Sequence, residues 1–503
     1  MADFIKRNKF TILIFIILTV LFFASRLYNI LSLPIFTDEA IYIRWAQIAK
    51  QDASWRFISL TDGKQPMFIW LMMISLRFIQ DPLLAGRAVS VGAGFMTLIG
   101  MYFLGREIFK SNKIGLISSA LYVIFPMALV YDRIALYDSL VGTFAIWALY
   151  LIVLLARKVR MDIALILGMI IGGGVLTKTS GFFSIYLLPV SLILFNWREK
   201  ETRSRLVKWI GLSIVAVVIT YGFYSILRLS PFFHIITEKN AIFVYPLKDW
   251  LQHPLEFFIL NCRAFWDWTN LYLTWPLLIL VALSFFVAKN FTKEKIALFL
   301  WFIVPVVALG LFGRTLYPRF IFFMILPLLP LIAFSLVNIY AKLRTSYLFV
   351  VFIFLVFILA FKNDYLILTD FAKSNIPDSD IEQYLTRWPA GGGIKKSIEF
   401  FEKEAKKGKI YIATEGTFGL LPYAYEIYLI NNPNIRIEGY WPMEDTIPAK
   451  VIKESKEIPT YFVFYQPCSS CIEIGTAPVT WNLKPVLQMR SGVNNFTSIY
   501  RIK

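Results

Sequence analysis

Residues 10–40 read FTILIFIILTVLFFASRLYNILSLPIFTDEA, an apolar run from Phe10 to Ile30 followed by two adjacent carboxylates, Asp38 and Glu39. About 20 apolar residues suffice to cross a bilayer as a helix. No small-residue cleavage site separates the run from Asp38-Glu39, so it is expected to stay as a span and not to be removed as a leader. Two carboxylates at the end of a span are costly to hold near hydrocarbon, which points to function. The alternative is a solvated helix start with Thr37 or Asp38 as its cap.

The remainder of the chain extends the first reading. Of 503 residues 58% are hydrophobic and 17% charged, against about 25% charged in ordinary soluble domains. Apolar runs of span length recur up to residue 361, so the chain reads as a polytopic α-helical membrane protein. A net charge of +18 would suggest nucleic acid in a soluble protein. Here the excess is loop Lys and Arg, which reports membrane orientation, and no nucleic-acid partner is expected. Cys262, Cys468 and Cys471 are too few for a disulfide scaffold, although Cys468-Ser-Ser-Cys471 could close in an oxidising space. His234 and His253 share one loop and read as polar loop residues rather than metal ligands.

Basic clusters at Lys6–Lys9, Arg106–Lys113, Arg157–Arg160, Arg198–Lys208, Lys289–Lys295 and Lys342–Arg344 are expected on the cytoplasmic side. Eleven spans then fit, at about 10–30, 84–104, 114–131, 139–156, 163–177, 182–196, 209–229, 274–289, 295–313, 319–340 and 347–361. Pro66–Gln80 is too short an apolar stretch to cross and is expected to be interfacial or re-entrant. The transmembrane part is thus 1–361. Residues 362–503, with strand patterns at 410–414, 435–439, 460–465 and 497–502 and a helix near 420–429, predict a soluble, extracytoplasmic α/β domain. This topology gathers Asp38, Glu39, Lys64, Arg87, Asp132, Arg133, Asp138, Lys178, Arg314, Tyr317 and Arg319 on the outer face. Carboxylates beside cations suit a reaction in which an acceptor is deprotonated while an anionic group, most simply phosphate, departs. Lys64, Arg314 and Arg319 could hold that phosphate, although Arg319 and Lys178 could equally snorkel at the interface.

Thr37-Asp38-Glu39-Ala40, then Lys64-Gln65-Pro66, Arg87-Ala-Val-Ser90, Arg133-Ile-Ala-Leu-Tyr-Asp138, Leu176-Thr-Lys178 and Tyr317-Pro-Arg319 together resemble the motifs of C-type (GT-C) membrane glycosyltransferases, in their order. The nearest groups are the protein O-mannosyltransferases and the lipid A aminoarabinose transferases. Two departures stand out: the second proline of the Lys-Pro-Pro motif is moved, and Phe320 replaces the Tyr of the usual Arg-Tyr. The resemblance implies an inverting transferase, facing outward, that takes sugar from a polyprenyl-phosphate donor to a protein, glycan or lipid acceptor. It makes Asp38 the catalytic base, with Glu39 placing the acceptor or a metal and Asp138 orienting the acceptor or Arg133. Lys64, Arg314, Tyr317 and Arg319 become donor-phosphate ligands, and Arg87, Asp132, Arg133 and Lys178 order the site. A divalent metal at Asp38 and Glu39 is allowed but not required.

A secondary transporter is the competing reading, with Gly172-Gly173-Gly174 marking a pathway; a non-catalytic lipid-carrier protein is another. Against the first stand the absence of an inverted repeat and charges gathered at one surface; the second gives no reason for Asp38 and Asp138. In the C-terminal part, Tyr423, Tyr425, Tyr440 and Trp441 either bind acceptor or fill the core. Asn495-Phe-Thr497 matches a glycosylation sequon.

Overall fold

The computed structural model describes residues 2–198, 201–343, 347–467, 471, 473–492 and 494–503. Lys200, Arg344 and Cys468, which belong to two of the basic clusters and to the Cys468-Ser-Ser-Cys471 motif, lie outside the described residues. The chain divides into two compact units. The first comprises residues 1–28, 57–68 and 89–377, and the second residues 29–56, 69–88 and 378–503.

The first unit is helical. It contains α1 (Ala2–Leu27), most of α4 (Pro82–Phe109), α5 (Asn112–Val123), α6 (Pro126–Tyr131), α7 (Tyr137–Lys158) and α8 (Met161–Thr177). The helices Thr202–Ser225, Phe258–Leu273, Trp275–Leu283, Thr292–Phe312, Leu329–Leu343 and Tyr347–Thr369 follow. Among the described residues, six helices are long and apolar enough to cross a membrane, at residues 8–27, 82–109, 137–158, 202–229, 292–312 and 347–369. A seventh candidate, Pro318–Ile325 with Leu328–Leu343, is bent by 50°. The other spans expected from sequence correspond to broken or short helices. Pro126 starts a new helix after Val123, and the 163–177 and 182–196 runs form short helices. The expected 274–289 span begins at a break where Thr274 has φ 64°. The final helix runs on to Thr369, past the expected boundary at 361.

The unit is organised around α7, whose spanning stretch is 83% buried. Small residues set the close approaches on either side. A Cβ at Gly168 or Gly172 would strike Ile219 or Phe223 of the Thr202–Ser225 helix, and one at Gly173 would press into the Phe144 ring of α7. The triple glycine is therefore a packing seam, and the sign it gave of a transport pathway has a simpler cause.

The second unit holds α2 (Thr37–Gln51), most of α3 (Met67–Ser75) and the sheet domain. Nine residues of α3 make a helix about 14 Å long, too short to span, as Pro66–Gln80 was expected to be. The sheet has five strands in the order β2-β1-β3-β5-β4, with β1 (Ile410–Glu415), β2 (Ile435–Tyr440), β3 (Thr460–Phe464), β4 (Pro485–Gly492) and β5 (Asn495–Ile502). β1 runs parallel to β2 and β3, whereas β5 is antiparallel to β3 and β4. Strand β4 escaped the sequence pattern because this edge strand begins at Pro485 and buries only Met489. One core packs Tyr411, Phe462, Phe464, Trp481 and Tyr500 together. Tyr425 is buried and Trp441 is 59% exposed, so the aromatics expected to bind acceptor or fill the core divide between those surroundings. Asn495 is buried, with its Nδ2 donating to the Thr386 carbonyl at 3.0 Å. The sequon is thus closed to modification in the folded domain.

Candidate functional site

The candidate residues fall in both units, and each group is built separately. In the second unit, the segment before α2 is fixed from behind. Phe36 is the N-cap, with extended backbone, so Thr37, Asp38 and Glu39 occupy the first three helical positions. Neither Thr37 nor Asp38 is the cap. Glu39 reaches back and accepts the Phe36 N–H at 3.0 Å, satisfying one of the donors that a helix start leaves open. Its carboxylate also takes a two-pronged contact from Arg87, Nε to Oε1 and Nη2 to Oε2, each at 2.8 Å. Arg87 donates further to the carbonyls of Ile30, Leu33 and Pro34 at 2.6, 3.1 and 3.0 Å. Both side chains are essentially inaccessible, at 1% for Arg87 and 0% for Glu39.

Glu39 is therefore committed to Arg87 and the backbone of its own turn. That makes it a poor ligand for a metal or an acceptor, the two roles expected of it from the sequence. Asp38, one position earlier, is half-buried in the first helical turn, where the helix dipole favours a carboxylate. Further along α2, Arg44 contacts Glu426 at 2.5 Å and Gln47 donates to the Ile427 carbonyl at 2.9 Å. Trp45 lies against Phe418, ring centroids 6.1 Å apart. The helix carrying Asp38 thus packs on the sheet domain's Tyr423–Leu429 helix.

In the first unit, Lys64 follows a tight turn. Gly63 has φ 65°, and a Cβ there would lie 2.6 Å from Lys239 Cβ and 2.7 Å from the Ile235 carbonyl oxygen. Only glycine fits such a turn without strain. Asp62 bridges Lys64 at 3.4 Å and Lys239 at 2.6 Å, and Gln65 donates to the Thr179 hydroxyl at 2.8 Å. The moved proline of the motif therefore leaves a polar side chain that ties this turn to Thr179, just after α8.

The Asp132–Asp138 hairpin had been expected to gather two carboxylates and an arginine. The structure sends them to different partners. Asp132 is fully buried and meets Arg26 at 3.3 Å, the Ser139 hydroxyl at 2.8 Å and the Tyr122 hydroxyl at 3.0 Å. A Cβ at Gly94 would collide with its carboxylate. Arg133 donates to the Tyr28 carbonyl at 2.6 Å. Asp138 accepts from Lys178 Nζ at 2.8 Å, and the same ammonium lies 4.4 Å from the centre of the Phe320 ring. Phe320, the departure from the usual Arg-Tyr, thus supplies a π face to the lysine. Sequence reading missed Arg26. Its signal was an arginine closing an otherwise apolar span, which by default needs a partner.

Near the start of the bent helix pair, Asn261 donates to the carbonyls of Gly310 and Gly313 at 3.1 and 2.8 Å. Arg314 N–H donates to the Phe243 carbonyl at 2.8 Å, and its guanidinium lies 5.6 Å from the Tyr245 ring centre. The Arg319 guanidinium lies 5.3 Å from that of Tyr317. Each of the two cations therefore rests against an aromatic ring. Among the described residues no group of three or more His, Cys, Asp or Glu side chains is arranged to hold a metal ion.

Residues 63–224 match the family model of dolichyl-phosphate-mannose-protein mannosyltransferases. No curated protein sequence matches this chain. Among solved structures, the fold is similar to ArnT from Cupriavidus metallidurans bound to undecaprenyl phosphate, with TM-score 0.57, 14% identity and 98% of each chain covered. The apo form of that protein aligns with TM-score 0.57 and 13% identity over 99% of this chain and 98% of its own. The oligosaccharyltransferase AglB from Archaeoglobus fulgidus, in complex with an inhibitory peptide and a dolichol-phosphate, aligns with TM-score 0.50 and 14% identity. That match covers 81% of this chain, which spans only 62% of the AglB length. At these identities the likeness establishes the fold alone, one that this chain shares with ArnT and AglB.

Proposed function

We propose that this integral membrane protein of C-type glycosyltransferase fold moves a sugar from a polyprenyl-phosphate donor to a protein, glycan or lipid acceptor, with inversion. The observation that carries the reading is Asp38, held in the first turn of α2 by the buried Glu39–Arg87 clamp. A base must keep its carboxylate on a fixed backbone, and the clamp uses Glu39 for the fixing. The family model over residues 63–224 and the fold support the same activity.

In this reading the acceptor O–H or N–H loses its proton to Asp38 as its heteroatom attacks the anomeric carbon. The bond from that carbon to the phosphate oxygen breaks, and the electron pair leaves with the polyprenyl phosphate. One displacement inverts the centre and needs no covalent nucleophile. Lys64, Arg314, Tyr317 and Arg319 are assigned to the donor phosphate, whose negative charge grows in the transition state, so fixed cations stabilise it more than the bound ground state. Asp138 and Lys178 act as a pair that orders the site. Arg87 and Glu39 act through Asp38's backbone, and Asp132 and Arg133 brace the hairpin. The basic clusters support a cytoplasmic N-terminus, with the reaction and the sheet domain on the opposite side.

The test is purified protein in detergent with radiolabelled polyprenyl-phosphate sugars, wild type beside Asp38→Asn. Transfer or donor hydrolysis that vanishes in the variant while donor binding persists is expected. Wild-type rates in Asp38→Asn would remove Asp38 from the chemistry.

A further inference from the structure

A cavity of about 360 Å³ lies at the break between the helices Phe258–Leu273 and Trp275–Leu283, against the later turns of the Tyr347–Thr369 helix. All of it belongs to the first unit, and none of its lining residues is used by the proposed transfer chemistry. One part of its wall is polar, formed by Asn270, Thr274, Lys362, Asn363, Lys373 and Asn375. Another part is apolar, formed by Leu271, Trp275, Leu359 and Leu366.

Three observations show that this polar wall is built. Lys362 is the only Lys or Arg in the Tyr347–Thr369 helix, and a cation within a span calls for a functional explanation. Asn363, 3% exposed, folds the following turn back onto the helix. Its Nδ2 donates to the Asn375 carbonyl at 3.0 Å, and its Oδ1 accepts the Asn375 N–H at 2.7 Å. That staple brings Lys373, which also pairs with Asp370 at 2.7 Å, to the same wall as Lys362. Finally, Thr274 is 6% exposed and its hydroxyl has no hydrogen-bond partner among the described residues. It also carries φ 64°, a costly conformation for a β-branched residue.

Thr274 is followed by Trp275 and Pro276, which start a new nine-residue helix at the cavity wall. A helix start carries partial positive charge and favours anions. Two lysines, amide donors, a buried hydroxyl and a helix start suit a phosphate group. The adjoining leucines and the 59%-exposed Trp275 suit a hydrocarbon chain.

We propose that this cavity binds the phosphate of an anionic lipid, at a site separate from the donor-phosphate residues. Either a bulk phospholipid or a second polyprenyl phosphate has the required chemistry. The experiment is native mass spectrometry of the delipidated full chain, titrated separately with phosphatidylglycerol, undecaprenyl phosphate, diacylglycerol and inorganic phosphate. Wild type is compared with Lys362→Gln/Lys373→Gln, Lys362→Arg/Lys373→Arg, Thr274→Val and Lys64→Gln.

A lipid phosphate whose affinity falls about tenfold or more in the double Gln variant, falls in Thr274→Val and returns in the double Arg variant is expected. Lys64→Gln should leave that binding event intact, so failure of the donor assignment and failure of this one are distinguishable. Loss confined to phosphatidylglycerol identifies a bulk phospholipid, and loss confined to undecaprenyl phosphate identifies a second carrier lipid. Unchanged lipid binding in the double Gln variant overturns the proposal. So does diacylglycerol binding as well as the phospholipid, or inorganic phosphate binding as tightly as either lipid.

Discussion

Replacing Arg87 by Met should loosen the segment that presents Asp38, and the size of the effect follows from the contacts. Arg87 is 1% exposed and faces a carboxylate with no exposure at all, at 2.8 Å on both prongs. Removing one member of a buried ion pair costs about 3–5 kcal/mol, because the other charge stays behind uncompensated. The carbonyls of Ile30, Leu33 and Pro34 lose their donor as well, which places the variant near the upper end of that range. If the loss is local, amides of residues 30–40 should exchange with solvent about three to four orders of magnitude faster.

Glu39→Gln should do less, since Arg87 keeps its three carbonyls. The double variant should be little worse than Arg87→Met alone, because the two residues form one unit. Hydrogen exchange resolved by peptide, with thermal unfolding alongside, provides the measurement. Unchanged exchange across 30–40 in Arg87→Met would refute the clamp, and with it the account of how Asp38 is held.

Further expectations concern other parts of the chain. At the end of β1, Glu415 is buried and accepts the N–H groups of Tyr465 and Gln466 at 3.0 and 2.9 Å. Burial lifts its carboxyl from 4.5 to about 7, against the pull of those two donors. The folded state therefore holds the proton more tightly than the unfolded one. The resulting stability is fully present below about pH 4.5 and is lost as pH rises through 7. Thermal unfolding of wild type minus Glu415→Gln should trace that loss, and a flat difference across the window would argue against it. Gly63→Ala combines a left-handed backbone, costing about 1–2 kcal/mol, with a 2.6 Å contact to Lys239. It should raise the KM for the donor by shifting Lys64, and an unchanged KM would separate this turn from donor binding. Asp138→Asn removes a charge-assisted bond worth about 1.5–3 kcal/mol and should lower kcat/KM roughly tenfold or more. Phe320→Leu, which removes only the ring under Lys178, should cost less than that. Equal losses would mean that the ring positions the lysine as much as the carboxylate does.

Much of the fold was legible because membrane helices announce themselves by length and hydrophobicity. The spans near 10–30, 84–104, 139–156, 209–229, 295–313 and 347–361 each correspond to a long apolar helix. Strands β1, β2, β3 and β5 were visible in their β-branched and aromatic runs. Breaks were harder to see. The helix start at Pro126 and the turn at Thr274 interrupt runs that remain apolar, so composition does not reveal them.

The motif positions themselves were written in the sequence, since Asp38, Lys64, Asp138 and Lys178 could be picked out by residue type and order alone. What each does with its atoms depended on partners far along the chain. Adjacent carboxylates look alike in a sequence. Yet Glu39 is enclosed by an arginine 48 positions away, while Asp38 sits half-buried one residue earlier. Asp132 and Asp138 lie on one hairpin but answer to Arg26 and Lys178 respectively. Local sequence determines which groups are present and which segments are helical, because those depend on side-chain chemistry and short-range hydrogen bonding. Only tertiary packing decides which charges are buried and paired, because burial brings together residues that nothing in the local pattern connects.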